Sequence, residues 1–288
     1  MENKIGIYFG FWSKDWIVDF SKYAQKADEL EFDIIEYDLG AIMDSPQKNQ
    51  EKLKKIVKEL DIDINFCIGL PEKYNIASGD SRKRSKGIEF LKKAIRKADE
   101  FEGNKLGGII YGAWGDSLPV GEKDKSLYMK RSADALSRVL KDTEGRKVQV
   151  NIEVVNRFEQ FLINTCEEAL EYLKLVNCDD LGIHLDTFHM NIEEDSFSKA
   201  IKKAGDNLKH FHIGENNRKL PGSGHLPWEE IFKALKEINY EGPIVMEPFV
   251  LPGGDIAQDV KVWRDIDPED KDDKLKKVKE NIIKFMDN

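Results

Sequence analysis

VQVNIEVVNRFEQFLINTCEEALEYLKLVNCDDLGIHLD (148–186) holds one complete structural period. VQVNIEV (148–154) is a β-rich run, residues 165–176 carry a charged amphipathic pattern, and LGIHLD (181–186) is a second β-rich run. Thr165 followed by Glu168 has capping-box spacing, in which each side chain satisfies a backbone N–H at a helix start. The stretch reads as strand, helix, strand, and strands joined through a helical crossover are parallel.

The same alternation extends in both directions. Further β-rich runs are KIGIYF (4–9), FDIIEY (32–37), DINFCI (63–68), LGGIIY (106–111), LKHFHI (208–213) and PIVMEP (243–248). Helical patterns lie near 14–30, 47–60, 79–102, 124–143, 196–205, 228–238 and 271–287. Pro227 ahead of WEEIFKAL suits a first helical position, with Glu229 and Glu230 near the positive helix end. Eight such periods predict an α/β fold of one kind, a closed (β/α)₈ TIM barrel. With no Pro-, Gly- or Ser-rich linker, a single domain over 1–288 is expected. The rival is a doubly wound open sheet, which usually places a glycine-rich nucleotide turn after its first strand. YFGFWS (8–13) is not one. DPEDKDDKLKKVKE (267–280) is a charge run, read as the solvated face of the last helix.

Composition narrows the function. The 288 residues are 40% hydrophobic and 34% charged, with 54 acids against 45 Lys and Arg and a net charge of −9. An acidic balance argues against nucleic acid as a partner, since phosphate binding needs a positive surface. No apolar stretch approaches the roughly 20 residues needed to cross a bilayer, so no membrane partner is expected. The first residues, MENKIGIYFGFWSKDW, are too soon interrupted by charge for a secretory signal. Cys67, Cys166 and Cys178 are odd in number and contain no CxxC pair, which points to reduced thiols in a cytoplasmic protein.

In TIM barrels the chemistry sits at the carboxyl ends of the strands. The last four runs each end on a residue able to bind a metal: Glu153, Asp186, His212 and Glu247, spaced 33, 26 and 35 residues apart. Strand alternation puts Asn151 with Glu153, His184 with Asp186, His210 with His212, and Val245 with Glu247. The intervening apolar residues can face the helices, which leaves the polar sets inside the barrel mouth. Three carboxylates kept close without a cation would repel and be costly to bury. Three oxygen ligands and one imidazole suit Mn²⁺, Mg²⁺ or Co²⁺ better than a thiolate-rich zinc site. His184 and His210 lie one layer deeper and are expected to pack or to support a ligand. His189 and His225 fall in loops at the catalytic end, and His189 is close enough in sequence to Asp186 to reach substrate.

NIEVVNRFEQFLINT (151–165), HLDTFHMNIEEDS (184–196), HFHIGENNRKLPGSGHLPWEEI (210–231), VMEPF (245–249) and VWRDI (262–266) carry a family likeness. The chain resembles the D-tagatose 3-epimerase and D-allulose (D-psicose) 3-epimerase family, within the xylose-isomerase-like sugar isomerase superfamily. The likeness runs from GIYFGFW (6–12) to the last helix and is densest from 150 to 264. It implies one divalent metal per subunit, usually Mn²⁺ or Co²⁺. The family's ligand positions match Glu153, Asp186, His212 and Glu247. Positions holding substrate oxygens near C1 to C3 match Glu159, His189 and Arg218, and Tyr8 and Trp114 match aromatic positions lining the rest of the pocket. Cys67 and Leu70 depart from the smaller or more polar residues expected at the third strand end. Members are commonly homodimers or homotetramers, and FVLPGGDIAQDVKVWRDI (249–266) is the expected contact segment.

The activity implied is epimerisation of a free ketose at C3, of the D-fructose/D-allulose or D-tagatose/D-sorbose type. The C3 proton is α to the C2 carbonyl, so its loss gives an enediolate whose charge a divalent metal would stabilise. Glu153 and Glu247 would act as the two opposed bases. RKLPGSG (218–224) offers only a lone basic pair, so a free sugar is expected rather than a phosphorylated one. The alternative is an aldose–ketose 1,2-isomerase of the same superfamily.

Overall fold

The computed structural model describes residues 1–267 and 271–287; within the charge run, 268–270 lie outside the described residues, as does 288. Eight strands form a closed parallel barrel in chain order. They are β1 (Ile5–Tyr8), β2 (Ile34–Asp38), β3 (Asp63–Cys67), β4 (Lys105–Gly107), β5 (Gln149–Val154), β6 (Leu181–Asp186), β7 (Leu208–Ile213) and β8 (Ile244–Met246). Closure comes from β1 against β8, with Gly6 opposite Val245 and Ile7 opposite Met246. The longer helices that cover the outside are α1 (Ser21–Glu29), α3 (Gln47–Leu60), α4 (Ser81–Glu100), α5 (Ser126–Asp142), α6 (Cys166–Val176), α8 (Phe197–Ala204), α9 (Trp228–Glu237) and α11 (Lys271–Asp287). Three short helices, α2 (Leu39–Asp44), α7 (Thr187–Glu193) and α10 (Gly254–Val260), follow β2, β6 and β8.

The core lies between strands and helices. Ile152, Val154, Ile183, Leu185, Phe211 and Ile213 are buried on the outward strand faces, and Leu91, Ala94, Ile95 and Ala98 of α4 are buried with them. Burial of this kind is worth about 25 cal/mol per Å² of apolar surface, so it dominates the fold's stability. The alternate strand residues point inward, and on β5 to β7 they are polar. The register carries this pattern across the sheet: Glu153 pairs with His184, His184 with His210, and Asp186 with His212.

The capping box of α6 forms as its spacing implies. Thr165 Oγ1 accepts from Glu168 N–H at 3.3 Å, and Glu168 Oε2 accepts from Thr165 N–H at 3.3 Å. Pro227 stands one place earlier than expected, as the residue preceding α9. The first helical pattern is shorter than its sequence suggests, starting at Ser21 rather than 14. Trp16 explains this: its backbone N–H donates to Asp255 and its indole N–H to Asp259, both at 2.8 Å, so the segment is tied to α10 instead. β4 stops at Gly107 because Gly108 takes φ +104, against the Ile68 backbone.

Candidate active site

Glu153, Asp186, His212 and Glu247 converge at the carboxyl end of the barrel. One ligand atom from each lies within 4.8 Å of the others, and all four residues are buried. His212 Nδ1 is 3.7 Å from Asp186 Oδ2 and 3.6 Å from Glu247 Oε1. Asp186 divides its carboxylate between two tasks. Oδ1 accepts the Phe188 N–H at 2.5 Å and caps α7, which leaves Oδ2 for the cluster. Burial pushes the Glu153 carboxyl well above its ordinary value, and Glu247 adds to the rise. Burial also raises Glu247, against the pull of His212. Carboxyls so placed are stable only with protons or a cation among them.

His212 is fixed from its far side. Its Nε2 lies 2.6 Å from Glu36 Oε1 on β2, and Cys67 Sγ–H donates to the same oxygen at 3.1 Å. Burial opposes charge on Glu36, yet His210 and His212 hold its carboxyl far below the ordinary range. His212 Nδ1, by contrast, is buried with no hydrogen-bond partner. An orphaned imidazole nitrogen facing three carboxylates fits a divalent cation. One nitrogen and three oxygens suit a hard or borderline ion that also leaves room for substrate oxygens.

A second polar group borders this cluster. His189, expected in a loop, lies on α7. Its Nδ1 accepts the Asn156 backbone N–H at 3.2 Å, which places the ring proton of the neutral form on Nε2, 3.7 Å from Glu153 Oε1. Glu159 Oε1 accepts from Arg218 at 2.5 Å, and Glu159 Oε2 accepts the Trp114 indole N–H at 3.1 Å. Burial works against the Glu159 charge, but Arg218 and His189 hold the carboxyl below its ordinary value. The Arg218 guanidinium stacks over Phe188 at 4.1 Å and Phe249 at 5.2 Å, with Nη1 3.6 Å from Glu247. Its loop is folded around Glu215, whose buried carboxylate accepts from Gly222, Leu226 and Trp228 at 2.8–3.0 Å.

These groups open into a cleft at the carboxyl end of the barrel. Its polar end is lined by Glu153, Glu247, His189, Glu159 and Arg218, and its other walls include Tyr8, Trp16, Trp114 and Phe249. Asp186 and His212 lie beneath the floor. Trp114 rests on Gly69, where an added Cβ would come within 2.9 Å of the indole. Cys67 lines the cleft, whereas Leu70 is fully buried and accepts the Trp114 backbone N–H at 2.9 Å.

The model of the xylose isomerase-like TIM barrel family matches residues 24–266. The D-psicose 3-epimerase of Enterocloster bolteae is 37% identical over 284 residues, which cover 98% of this chain and 94% of the relative. The chain belongs to the D-psicose 3-epimerase family of xylose isomerase-like TIM barrels. Another D-psicose 3-epimerase, from Agrobacterium fabrum, is 38% identical over 91% of each chain. The crystal structure of D-psicose 3-epimerase with D-tagatose from Clostridium cellulolyticum H10 matches with a TM-score of 0.90 and 35% identity, covering 99% of this chain and 98% of that one.

In this member of the D-psicose 3-epimerase family, two acids near the cleft escaped the sequence reading. Glu36 and Asp38 stand in or just after FDIIEY, which looks like an ordinary β run. Alternation from Ile34 would have placed both on the inward face. Burial pushes Asp38 up to about 7, although its carboxylate caps α2 by accepting the Ala41 N–H at 2.6 Å. His184 and His210 are fully buried beneath the cluster. Burial lowers both, against the pull of Glu36 on His210. His225 is exposed. Cys67, Cys166 and Cys178 are all unpaired thiols. Among the described residues no helix is long and apolar enough to cross a membrane.

Proposed function

We propose that this protein epimerises free ketoses at C3, with Glu153 and Glu247 as the two proton-transferring groups. The observation that carries this reading is the pair itself. Two buried carboxyls, one from β5 and one from the end of β8, flank the same small cleft and belong to the same four-donor cluster. The D-psicose and ketose 3-epimerases among its relatives support the reaction class.

Glu153, Asp186, His212 and Glu247 would hold one divalent ion, Mn²⁺ or Co²⁺, with Mg²⁺ also compatible. When bound, such an ion supplies Lewis-acid stabilisation of the charge that develops on the substrate's O2, worth several kcal/mol. The chain does the rest. One glutamate takes the C3 proton and the other returns a proton to the opposite face, with the roles exchanged in the reverse direction. General acid–base help of this kind contributes about 10²–10⁴-fold. His189 donates its Nε2–H toward a substrate oxygen, and Arg218, steered by Glu159, donates to another. Trp114 fixes Glu159 through its indole N–H and, with Tyr8 and Phe249, packs against the sugar's carbon chain. With Arg218 already engaged by two glutamates, the polar end favours a neutral sugar over a phosphorylated one.

A homodimer or homotetramer is proposed as the working state, with the segment after β8 as the contact. Trp263 within it is 62% exposed, an unusual position for so large an apolar ring. The activity is tested by incubating the Mn²⁺-loaded protein with a panel of free ketohexoses and ketopentoses and identifying products by NMR. Appearance of the C3 epimer is expected, and conversion only to aldoses would replace this reading with a 1,2-isomerase.

A further inference from the structure

Glu36 lies in the middle of β2 with no solvent exposure. Its carboxylate reaches across the barrel interior to two imidazoles of β7, a strand that does not pair with β2. Oε1 is 2.6 Å from His212 Nε2, and Oε2 is 2.8 Å from His210 Nε2. His210 and His212 share the inward face two residues apart, with ring centroids separated by 4.8 Å. Cys67 adds its thiol as a second donor to Oε1. The opposite edge of the His212 ring carries Nδ1, which faces Asp186 and Glu247.

We infer that Glu36 is the positioning residue of the metal centre, fixing His212 as an Nε2–H tautomer whose Nδ1 lone pair faces the three carboxylates. The inference rests on the four-donor reading of the site. Its chemistry is that of a carboxylate behind a metal-binding histidine. The hydrogen bond to Nε2 sets the tautomer and the ring plane, and it makes Nδ1 a stronger donor. A glutamine in its place keeps the length and one acceptor. It carries no charge, however, and its NH₂ cannot accept, so it is a weaker acceptor for the His212 Nε2–H than the carboxylate.

The test measures Mn²⁺ binding to metal-free protein by titration calorimetry, with folding followed by far-UV circular dichroism. Glu36→Gln is expected to weaken Mn²⁺ about 10–100-fold, the usual effect of removing such a partner. Thr165→Ala, which weakens the distant cap of α6, is expected to leave Mn²⁺ affinity unchanged. Wild-type affinity in Glu36→Gln overturns the role of Glu36 while leaving the metal site standing. An equal loss in Thr165→Ala overturns it too, by showing a general effect of destabilisation. Failure of the wild type to bind Mn²⁺ removes the metal site and the inference together. A second measurement needs no variant: in wild-type protein loaded with ¹¹³Cd²⁺, nitrogen NMR is expected to show cadmium coupled to His212 Nδ1 with the Nε2 proton retained. Coupling to Nε2 instead contradicts the inference.

Discussion

In the proposed reaction Glu247 serves twice, as an oxygen donor to a cation and as a proton carrier, and its two carboxylate oxygens point different ways. Oε1 lies toward His212 at 3.6 Å, while Oε2 lies 3.6 Å from Arg218 on the cleft side. A carboxylate shared with a cation is a weakened base, so most of the acceleration must come from stabilising the developing charge, with the base adding its typical increment. Glu247→Gln preserves shape and one oxygen donor but cannot accept the C3 proton. Its turnover on the preferred ketose is expected to fall by at least about 10²-fold, with an unchanged circular dichroism spectrum. Normal turnover in that variant would end the two-base scheme. At the same scale, Glu159 is better understood as a support for Arg218 than as a base, since Arg218, Trp114 and Asn156 all donate to it.

Elements were legible where a local pattern makes them. All eight strands and the longer helices show in the sequence because a period of two gives way to apolar residues three and four apart, eight times over. Two of the short helices were not, because each starts on a single capping carboxylate: Asp38 for α2 and Asp186 for α7. That capping explains why His189, which looked like a loop residue, rides on a helix. Glu36 was hidden for a different reason. Its partner His212 is 176 residues away, and no local pattern marks a contact across the barrel. The capping box of α6, by contrast, was readable from Thr165 and Glu168 alone. Thr165→Ala is expected to cost about 1 kcal/mol, a fall in melting temperature of roughly 2 °C for a chain of this size. Calorimetry showing no change would mean that Glu168 alone sustains the helix start.

For the molecule as a whole, a polar interior is tolerated because the apolar layer between strands and helices supplies the stability. The metal-free protein carries its cost in a pH-dependent way. Glu153 and Glu247 are raised above the ordinary 4.5, burial being the largest cause. A folded state that holds protons more tightly than the unfolded chain gains stability that is full below 4.5 and lost as pH rises through the raised values. Chelator-treated protein should therefore melt at lower temperature as pH goes from about 5 to about 8. Saturating Mn²⁺ should restore more at the upper end, where it replaces the missing protons. A melting temperature of the metal-free protein that climbs over that interval would show that these carboxyls are not held as the cluster implies. Proton transfer at C3 is tested most directly by running the reaction in D₂O with Mn²⁺ and locating the label by NMR. One deuterium at C3 of the product and none at C1 is the expected result; label at C1, or conversion without label at C3, contradicts it.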